Sequence, residues 1–155
     1  MMFKMILTIL ALLSLPSSSD KPPHMNVILR GETQTELAPH GEGNVYAPEV
    51  LFDSGVYRMW YGGQGQDGHD RIHLAESRDG KTWTRRGVVL DRGEANHVND
   101  PSVVKVDGTY YLYYTRAAAD VLDEIALATS KDGIAWQPQG IVIEPGEKDN
   151  WDGLL

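Results

Sequence analysis

The stretch SRDGKTW, residues 77–83, returns as SKDGIAW at residues 130–136, and every shared position is displaced by 53 residues. A fixed period near 50 residues indicates a repeat architecture, in which one supersecondary unit is copied along the chain. The same offset relates further matched residues on both sides of the motif. These are Pro48 and Pro101, Gly55 and Gly108, Tyr57 and Tyr110, Leu74 and Leu127, Gly87 and Gly140.

Each copy is predicted to form four short strands. Runs rich in Val, Ile, Tyr, Thr and Trp, such as VYRMWYG (56–62) and TYYLYYT (109–115), are bounded by Ser-Gly or Asp-Gly turns. This alternation is the signal of β-hairpins, and no segment after residue 20 keeps a helical period for three turns. We predict an all-β fold, a β-propeller of four-stranded antiparallel blades. A two-sheet sandwich is the alternative, although it would not require a strict repeat.

The chain is expected to contain more than the two repeats. Residues 1–19 resemble a signal peptide, with the apolar run MILTILALLSL followed by small residues. Residues 20–44 form an N-terminal segment whose NVIL could close the propeller ring. Residues 45–155 are read as a partial propeller, with blades at 45–91 and 98–144 and the start of a third at 149–155. Propellers have about four to eight blades, so we expect the missing blades from the rest of a longer chain, or else from assembly with other chains.

Composition limits the classes of partner and of chemistry that we expect, and the sequence also suggests a cellular location. The formal charge is −8 and no Lys/Arg cluster is present, which argues against nucleic acid as a partner and fits a neutral carbohydrate substrate better. The absence of Cys excludes thiol catalysis and disulfides. We expect no cofactor and no metal, and His40, His73 and His97 show no metal-ligand spacing. We expect a secreted or periplasmic protein without stable membrane association after signal cleavage, an uncleaved N-terminal anchor being the alternative.

The repeat separates structural residues from candidates for chemistry. Positions present in both copies are explained by the blade, so Asp79-Gly80 and Asp132-Gly133 are predicted to form tight turns, and Trp83 and Trp136 to pack between blades. Asp100 has no equivalent, since Ala47 stands 53 residues earlier. We expect Pro101 to hold Asp100 extended at the entrance of the innermost strand of its blade. A turn or strand-entry role is the alternative.

Further unrepeated residues join Asp100 as candidates. Glu49, whose counterpart is Ser102, is predicted to be a second catalytic carboxylate, unless it is an exposed strand residue. Tyr46 precedes the same strand, where its ring could stack on a sugar. The predicted substrate-binding residues are Asn44, Tyr46, His97, Arg116 and Asp152.

Two stretches carry a family resemblance. VYAPEVLFDSGVYRMWYGG (45–63) and NDPSVVKVDGTYYLYYT (99–115) resemble the five-bladed β-propeller glycosidases, the clan of glycoside hydrolase families 43 and 32 and their relatives. The resemblance implies about two and a half of five blades. It also implies catalysis by carboxylates at the channel. Asp100 would fall on the Asp that orients the acid in the inverting family 43, or on the nucleophile of the retaining family 32.

The leading functional hypothesis is part of a secreted glycoside hydrolase. It would act on a neutral polysaccharide or oligosaccharide by carboxylate acid/base chemistry in a propeller channel. The resemblance places the remaining catalytic carboxylates outside these residues, so we expect the chain to be inactive alone. A non-catalytic carbohydrate-binding propeller is one alternative. A phosphorolytic relative is another, and it would need a basic phosphate pocket to which Arg116 could contribute.

Overall fold

The computed structural model describes residues 27–33, 35–118 and 123–147, which form two separate four-stranded antiparallel sheets. In each sheet the strands lie side by side in chain order, and no helix occurs among the described residues. The all-β fold and the four-stranded antiparallel blades are therefore confirmed. The strands are β1 (Asn44–Asp53), β2 (Val56–Gln64), β3 (Asp70–Ser77), β4 (Thr84–Leu90), β5 (His97–Val106), β6 (Thr109–Ala117), β7 (Glu124–Ser130) and β8 (Gln137–Ile143). We call residues 44–90 the first blade and residues 97–143 the second blade.

The hairpins follow from local turn chemistry that both blades share. Ser54-Gly55 and Asp107-Gly108 connect the first two strands of each blade, and all four residues have positive φ. This is the two-residue hairpin geometry that matches the twist of the flanking strands. Because the loops are this short, each blade is set in register by its turns.

The repeated S-x-D-G stretch is a turn, as predicted. Asp79 Oδ1 accepts hydrogen bonds from the backbone N–H groups of Lys81 (2.8 Å) and Thr82 (2.7 Å), and Ser77 Oγ accepts from Gly80 N–H (2.9 Å). Ser130 and Asp132 make the same bonds in the second blade. These donors lower the pKa of both aspartates, with the backbone N–H of Thr82 the largest cause for Asp79.

The main core lies between the two blades. Trp60 is 0% exposed, and its indole Nε1 donates a 2.9 Å hydrogen bond to the backbone carbonyl of Gly133. Trp136 meets Trp60 edge-on with ring centroids 6.2 Å apart, and Tyr110 lies 6.1 Å from the same ring. The β5 strand lies against β1, β2 and β3. The second blade thus packs over the face of the first.

The opposite face of the first blade carries a smaller apolar cluster. Met59, Tyr61 and Ala75 pack there against Trp83 and against Leu29 from the N-terminal segment. Trp136 therefore packs between the two blades as predicted, whereas Trp83 packs on the face away from the second blade. The difference arises because the S-x-D-G turn and the Trp of each blade lie on one face of that blade only. In the second blade this face meets the first blade, and in the first blade it meets the N-terminal segment.

The N-terminal segment is irregular where it is described. Residues 27–33 contain no strand, and Glu32 N–H bonds to the carbonyl of Glu42 (3.0 Å). The signal peptide (1–19), the start of NVIL and the predicted third blade (149–155) lie outside the described residues, so these remain predictions. Within the described part of the chain, no helix has the length and apolar character needed to span a bilayer.

Polar contacts supplement the core between the blades. Asp53, at the end of β1, accepts hydrogen bonds from Lys105 Nζ (2.6 Å) and from the Tyr110 hydroxyl, both in the second blade. Arg58 Nη1 donates to the same hydroxyl at 2.8 Å. The hydrogen bond from Lys105, followed by that from Tyr110, lowers the pKa of Asp53 to about 2.

Replacement of Gly133 by Ala tests the contact with Trp60. Gly133 and Gly108 both have a φ of 73°, but an added Cβ at Gly133 would lie 3.1 Å from the Trp60 ring, whereas Gly108 has open space. Since both variants carry the same backbone strain, their difference reports crowding. We expect Gly133→Ala to lower the free energy of unfolding by about 1 kcal/mol more than Gly108→Ala, measured by urea unfolding of the full-length protein. Equal losses would contradict the packing described.

The Asp53 contact predicts a defined pH window. Because folding lowers the pKa of Asp53 from 3.8 to about 2, its stabilisation is present above pH 4 and is lost as the pH falls to about 2. We expect Asp53→Asn to lower the thermal midpoint at pH 6, and the difference from wild type to shrink between pH 4 and 2. The Lys105→Met variant should show a weaker dependence over the same interval. A difference independent of pH would show that the Asp53 charge does not join the blades.

Candidate active site at the entrance of the inner strands

The two inner strands, β1 and β5, share one irregularity near their starts. The register of β1 with β2 shifts between Tyr46 and Glu49, and that of β5 with β6 shifts between Asn99 and Ser102. Each shift is a bulge that contains a residue with left-handed backbone, Ala47 (φ 46°) or Asp100 (φ 47°). The expected extended conformation of Asp100 is therefore wrong. The bulge places its extra residue at positive φ here, so the strand register outweighs the bias from the following proline.

Asp100 presents an exposed carboxylate on this bulge. Its side chain lines a cleft of about 280 Å³, together with Thr115 and Asp123, and the following Pro101 is buried. Bulges re-aim side chains and recur beside active sites. The same backbone holds only a methyl group in the first blade, at Ala47. The fold therefore provides the position, and the second blade alone equips it with an acidic group.

A buried polar group lies beside Asp100 and joins the blades. Asp70 starts β3 and is 7% exposed, and its Oδ2 lies 2.8 Å from His97 Nδ1 on β5. The Tyr46 side chain lies close to Asn99 and Asp70. Burial, with the negative charges of Asp70 and Asp100 adding to it, raises the pKa of Tyr46. Tyr46 thus stays a neutral hydroxyl that can donate a hydrogen bond.

Two glycines of β2 make room for ring side chains. A Cβ at Gly62 would lie 2.8 Å from the Tyr46 ring, and a Cβ at Gly63 would lie 2.7 Å from the His73 ring. Tyr46 and Gly62 are partners across the β1–β2 pair. An aromatic ring that covers a cross-strand glycine is a recurrent sheet device. Here the space over Gly62 fixes the position of the Tyr46 ring near the start of β1.

Only some of the predicted site residues lie close to one another in the structure. Tyr46 lies close to Asp70, which contacts His97, and the charge of Asp100 acts on Tyr46. Asn44 is an exposed residue at the start of β1, paired with Gln64. Glu49 follows the bulge as the strand partner of Trp60, and no hydrogen bond or ion pair of the described residues joins it to Asp100. Asp152 lies outside the described residues. The catalytic roles of Asp100 and Glu49 stay predictions.

The arginines near the entrance are already paired. Arg116 Nη1 donates to Glu124 Oε2 across the β6–β7 pair at 2.6 Å. Arg71 is buried and donates to Asp67 (2.8 Å) and Asp91 (3.0 Å). These hydrogen bonds, that of Asp67 first, raise the pKa of Arg71. Both guanidinium groups are therefore partly neutralised.

A second buried cluster anchors the N-terminal segment. Glu42 accepts a hydrogen bond from the Tyr61 hydroxyl and lies 3.1 Å from Arg85 Nε. His73 stacks on Tyr61 with ring centroids 5.7 Å apart, and burial lowers the pKa of His73. His73 is therefore neutral at neutral pH. This cluster packs the described residues of the N-terminal segment onto the first blade.

Sequence reasoning missed Asp70 and Asn99. Asp70 has an aspartate counterpart, Asp123, so the repeat marked it as structural, and Asn99 is the counterpart of Tyr46. Asp100 was singled out as an unrepeated acid, and neither Asp70, which is repeated, nor Asn99, which is not an acid, meets that criterion. The one available signal was that Asp70 starts a strand at the same end of the blade as Asp100.

Two larger clefts recur at equivalent places in the two blades. Clefts of about 340 and 290 Å³ lie beside the two S-x-D-G turns, at Ser77–Asp79 and Ser130–Asp132, and their lining residues correspond at the 53-residue offset. A cleft that recurs with each blade is a product of blade geometry. In the described residues, no cluster of three or more His, Asp or Glu side chains could hold a metal ion.

Comparison with known proteins identifies the family. Residues 18–152 match the model of glycoside hydrolase family 130, described as β-1,4-mannooligosaccharide phosphorylase. The chain belongs to glycoside hydrolase family 130. The resemblance to the propeller glycosidase clan is thereby confirmed, and within that clan the matching family is neither 43 nor 32.

Individual relatives agree with this placement. A 1,2-β-oligomannan phosphorylase of Thermoanaerobacter is 29% identical over 151 residues, which cover 89% of this chain and 48% of that protein. An arabinan endo-1,5-α-L-arabinosidase A of Aspergillus niger is 25% identical over 118 residues, covering 68% of this chain and 37% of that protein. The chain thus spans less than half the length of either relative.

A solved structure shows the same fold. It comes from work on the GH130 family of mannoside phosphorylases, described as containing glycoside hydrolases that target β-1,2 mannosidic linkages in Candida mannan. The TM-score is 0.63 at 19% identity, over 85% of this chain and 42% of that one. The two four-stranded sheets of this chain are therefore blades of a β-propeller.

The Gly62 contact yields a test of how Tyr46 is held. Gly62→Ala would press a methyl group into the Tyr46 ring, so we expect it to lower the free energy of unfolding by about 1 to 3 kcal/mol. In a Tyr46→Ala background the methyl has space, and the loss should fall below about 1 kcal/mol. Urea unfolding of the four proteins in this cycle measures the coupling. Equal costs in both backgrounds would separate Gly62 from Tyr46.

Proposed function

We propose that the protein to which these blades belong cleaves β-mannosidic linkages of mannooligosaccharides, with inorganic phosphate as the acceptor. Membership of a family described by a mannooligosaccharide phosphorylase supports this proposal, as does the similarity to a 1,2-β-oligomannan phosphorylase. The observation that carries it is the exposed Asp100 carboxylate on the bulge of β5, beside the Tyr46–Asp70–His97 group. The phosphorolytic alternative of the sequence analysis thus becomes the leading hypothesis.

The proposed chemistry assigns one proton transfer to Asp100. The bond between the anomeric carbon and the glycosidic oxygen breaks, and a bond forms between that carbon and a phosphate oxygen. The departing sugar oxygen takes a proton delivered by Asp100, and Asp100 recovers a proton from solvent when the hydrogen phosphate that attacked gives up its own. Phosphate is an anionic nucleophile, so this route needs no second carboxylate to activate water, whereas hydrolysis uses a pair.

Phosphate must be held against this centre. His97 and Arg116 are the groups of the second blade that could contribute, at the start of β5 and near the end of β6. Arg116 is bound to Glu124 at 2.6 Å, so its charge is partly neutralised. We expect additional cationic groups from other parts of the whole protein.

Hydrolysis is the second candidate. The pairing of Arg71 and Arg116 with carboxylates favours it, since neither guanidinium is free of a counter-charge. Water would then replace phosphate as the nucleophile, and a second carboxylate would be needed to activate it. Glu49 is the candidate of the sequence analysis for that role.

The acceptor is decided by product analysis. The full-length protein is incubated with β-1,2- and β-1,4-mannobiose, with and without inorganic phosphate, and the products are followed by phosphorus NMR and a reducing-sugar assay. We expect mannose 1-phosphate to form only with phosphate. Mannose release at the same rate without phosphate would establish hydrolysis. Cleavage of arabinan alone would overturn both mannoside proposals.

Asp100 has a matched control at the far end of its own strand. Asp107 is also an exposed aspartate with a φ of 47°, in the turn after β5. Asn tolerates this backbone, so both Asp→Asn variants should fold. We expect Asp100→Asn to lower kcat by about 100-fold or more, as for loss of a general acid, and Asp107→Asn to retain it. Unchanged turnover in Asp100→Asn would remove Asp100 from the chemistry.

We also propose that residues 1–19 direct export. The apolar run and the small residues that follow it support this assignment. N-terminal sequencing of the protein recovered from the native host would test it. A mature chain that still begins at Met1 and is retained in the cytoplasm would contradict export.

A further inference from the structure

We propose that Asp70 is a positioning residue that orients His97, so that the free ring nitrogen of His97, Nε2, contacts the ligand beside Asp100. The inference rests on the proposed function and adds two residues to the site. With Nδ1 donating to Asp70, Nε2 of the neutral ring is an acceptor, so the ligand group is an O–H donor, a sugar hydroxyl or the P–OH group of hydrogen phosphate.

The first step is the burial of the Asp70 carboxylate. Asp70 is 7% exposed, and its Oδ1 is buried without a hydrogen-bond partner among the described residues. Burial of a carboxylate is unfavourable unless it is paired. The 2.8 Å contact of Oδ2 with His97 Nδ1 is its one ion-pair contact within the described chain. The Tyr46 side chain also lies close to this carboxylate, so His97 and Tyr46 are the polar side chains that Asp70 meets.

The second step locates a proton. His97 Nδ1 lies 2.8 Å from Asp70 Oδ2, and the backbone N–H of Asp70 is directed at the same nitrogen from 3.1 Å. Two lone pairs cannot face each other at 2.8 Å, so a proton lies between Nδ1 and Oδ2. Nδ1 can donate to the carboxylate or accept from the backbone N–H but not both, and we place the proton on Nδ1 because a hydrogen bond to a carboxylate is the stronger of the two. A carboxylate behind Nδ1 selects the tautomer and the ring orientation of a functional histidine.

The third step concerns access. The side chain of His97 keeps 23% of its surface exposed, although Asp70 behind it is buried. With Nδ1 bound to Asp70, Nε2 is the nitrogen that remains for a ligand. The groups that contact the ring are His69, with ring centroids 5.6 Å apart, and Asp70, and Asp100 lies three residues beyond His97 on the same strand.

The pair also spans the boundary between the blades. Asp70 belongs to β3 of the first blade and His97 to β5 of the second. An Asp70–His97 contact that only held the two blades together would show the same 2.8 Å distance. The experiment must therefore include a readout that a structural tie does not move.

The test uses four full-length proteins: wild type, Asp70→Ala, His97→Gln and the double variant. We expect each single change to lower kcat/KM for mannobiose phosphorolysis at least 10-fold. Because Asp70 acts through His97, the double variant should lie within about threefold of His97→Gln. Multiplicative losses would overturn the proposal.

Histidine tautomer spectra separate orientation from stability. In long-range proton–nitrogen NMR spectra, His97 should carry its proton on Nδ1 in the wild type and lose this preference in Asp70→Ala. Glu76→Gln is the matched control, since Glu76 is an ion-paired acid near the other end of β3, bound to Arg58 at 3.1 Å. It should lower the thermal midpoint without changing the tautomer or kcat/KM. An unchanged His97 tautomer in Asp70→Ala would reduce the pair to a structural tie and overturn the proposal.

Failure of the proposed function is distinguishable from failure of this inference. If the wild type cleaves no mannobiose, the tautomer spectra still decide whether Asp70 orients His97. Titration with mannobiose and with inorganic phosphate then tests the ligand contact. A shift of the His97 resonances with either probe, absent in Asp70→Ala, supports the inference. No shift with either probe overturns it.

Discussion

The contact between Trp60 and the Gly133 turn determines how the two blades fit together. The indole is fully buried in the space between the sheets, and its Nε1 finds the carbonyl of the turn at 2.9 Å. Burial of about 200 Å² of apolar ring contributes roughly 5 kcal/mol, at about 25 cal/mol per Å². The hydrogen bond also fixes the position of the turn, because the buried indole N–H would be left without a partner if the Gly133 carbonyl lay elsewhere. With this contact formed, the starts of β1 and β5 lie close enough for Tyr46, Asp70 and His97 to meet.

The candidate site at the starts of β1 and β5 also depends on a backbone feature that both blades carry. The left-handed bulge at Ala47 and Asp100 is part of the inner strand, so its strain is not evidence of catalysis by itself. What distinguishes the second blade is the side chain on the bulge. A repeated irregular position of this kind can acquire an acidic group without any change in fold. Aspartate is also among the few residues that tolerate such a backbone.

The fold was predictable from the sequence because repetition and turn chemistry agree. The 53-residue offset, the Asp-Gly and Ser-Gly turns and the alternating strands all indicate four-stranded blades. Asp100 was identifiable as an unrepeated acid. Its backbone conformation was not, because the local rule for a residue before proline competes with the register of the bulge, which depends on β6. Tyr46 was identifiable as a candidate, but its support by Gly62 depends on strand pairing that no local pattern reveals.

Asp70 shows why recurrence in the sequence does not establish a structural role. Asp70 and Asp123 occupy equivalent positions, yet Asp70 is buried against His97 while Asp123 is exposed and lines the Asp100 cleft. The difference arises because the side chain at this position contacts the following blade, and Asp70 meets the histidine that starts β5 there. In a propeller, the environment of a residue is therefore set by two blades, although its backbone is set by one. Comparing repeats identifies the positions that the blade requires, but the chemistry of a position also depends on the residues that the neighbouring blade places against it.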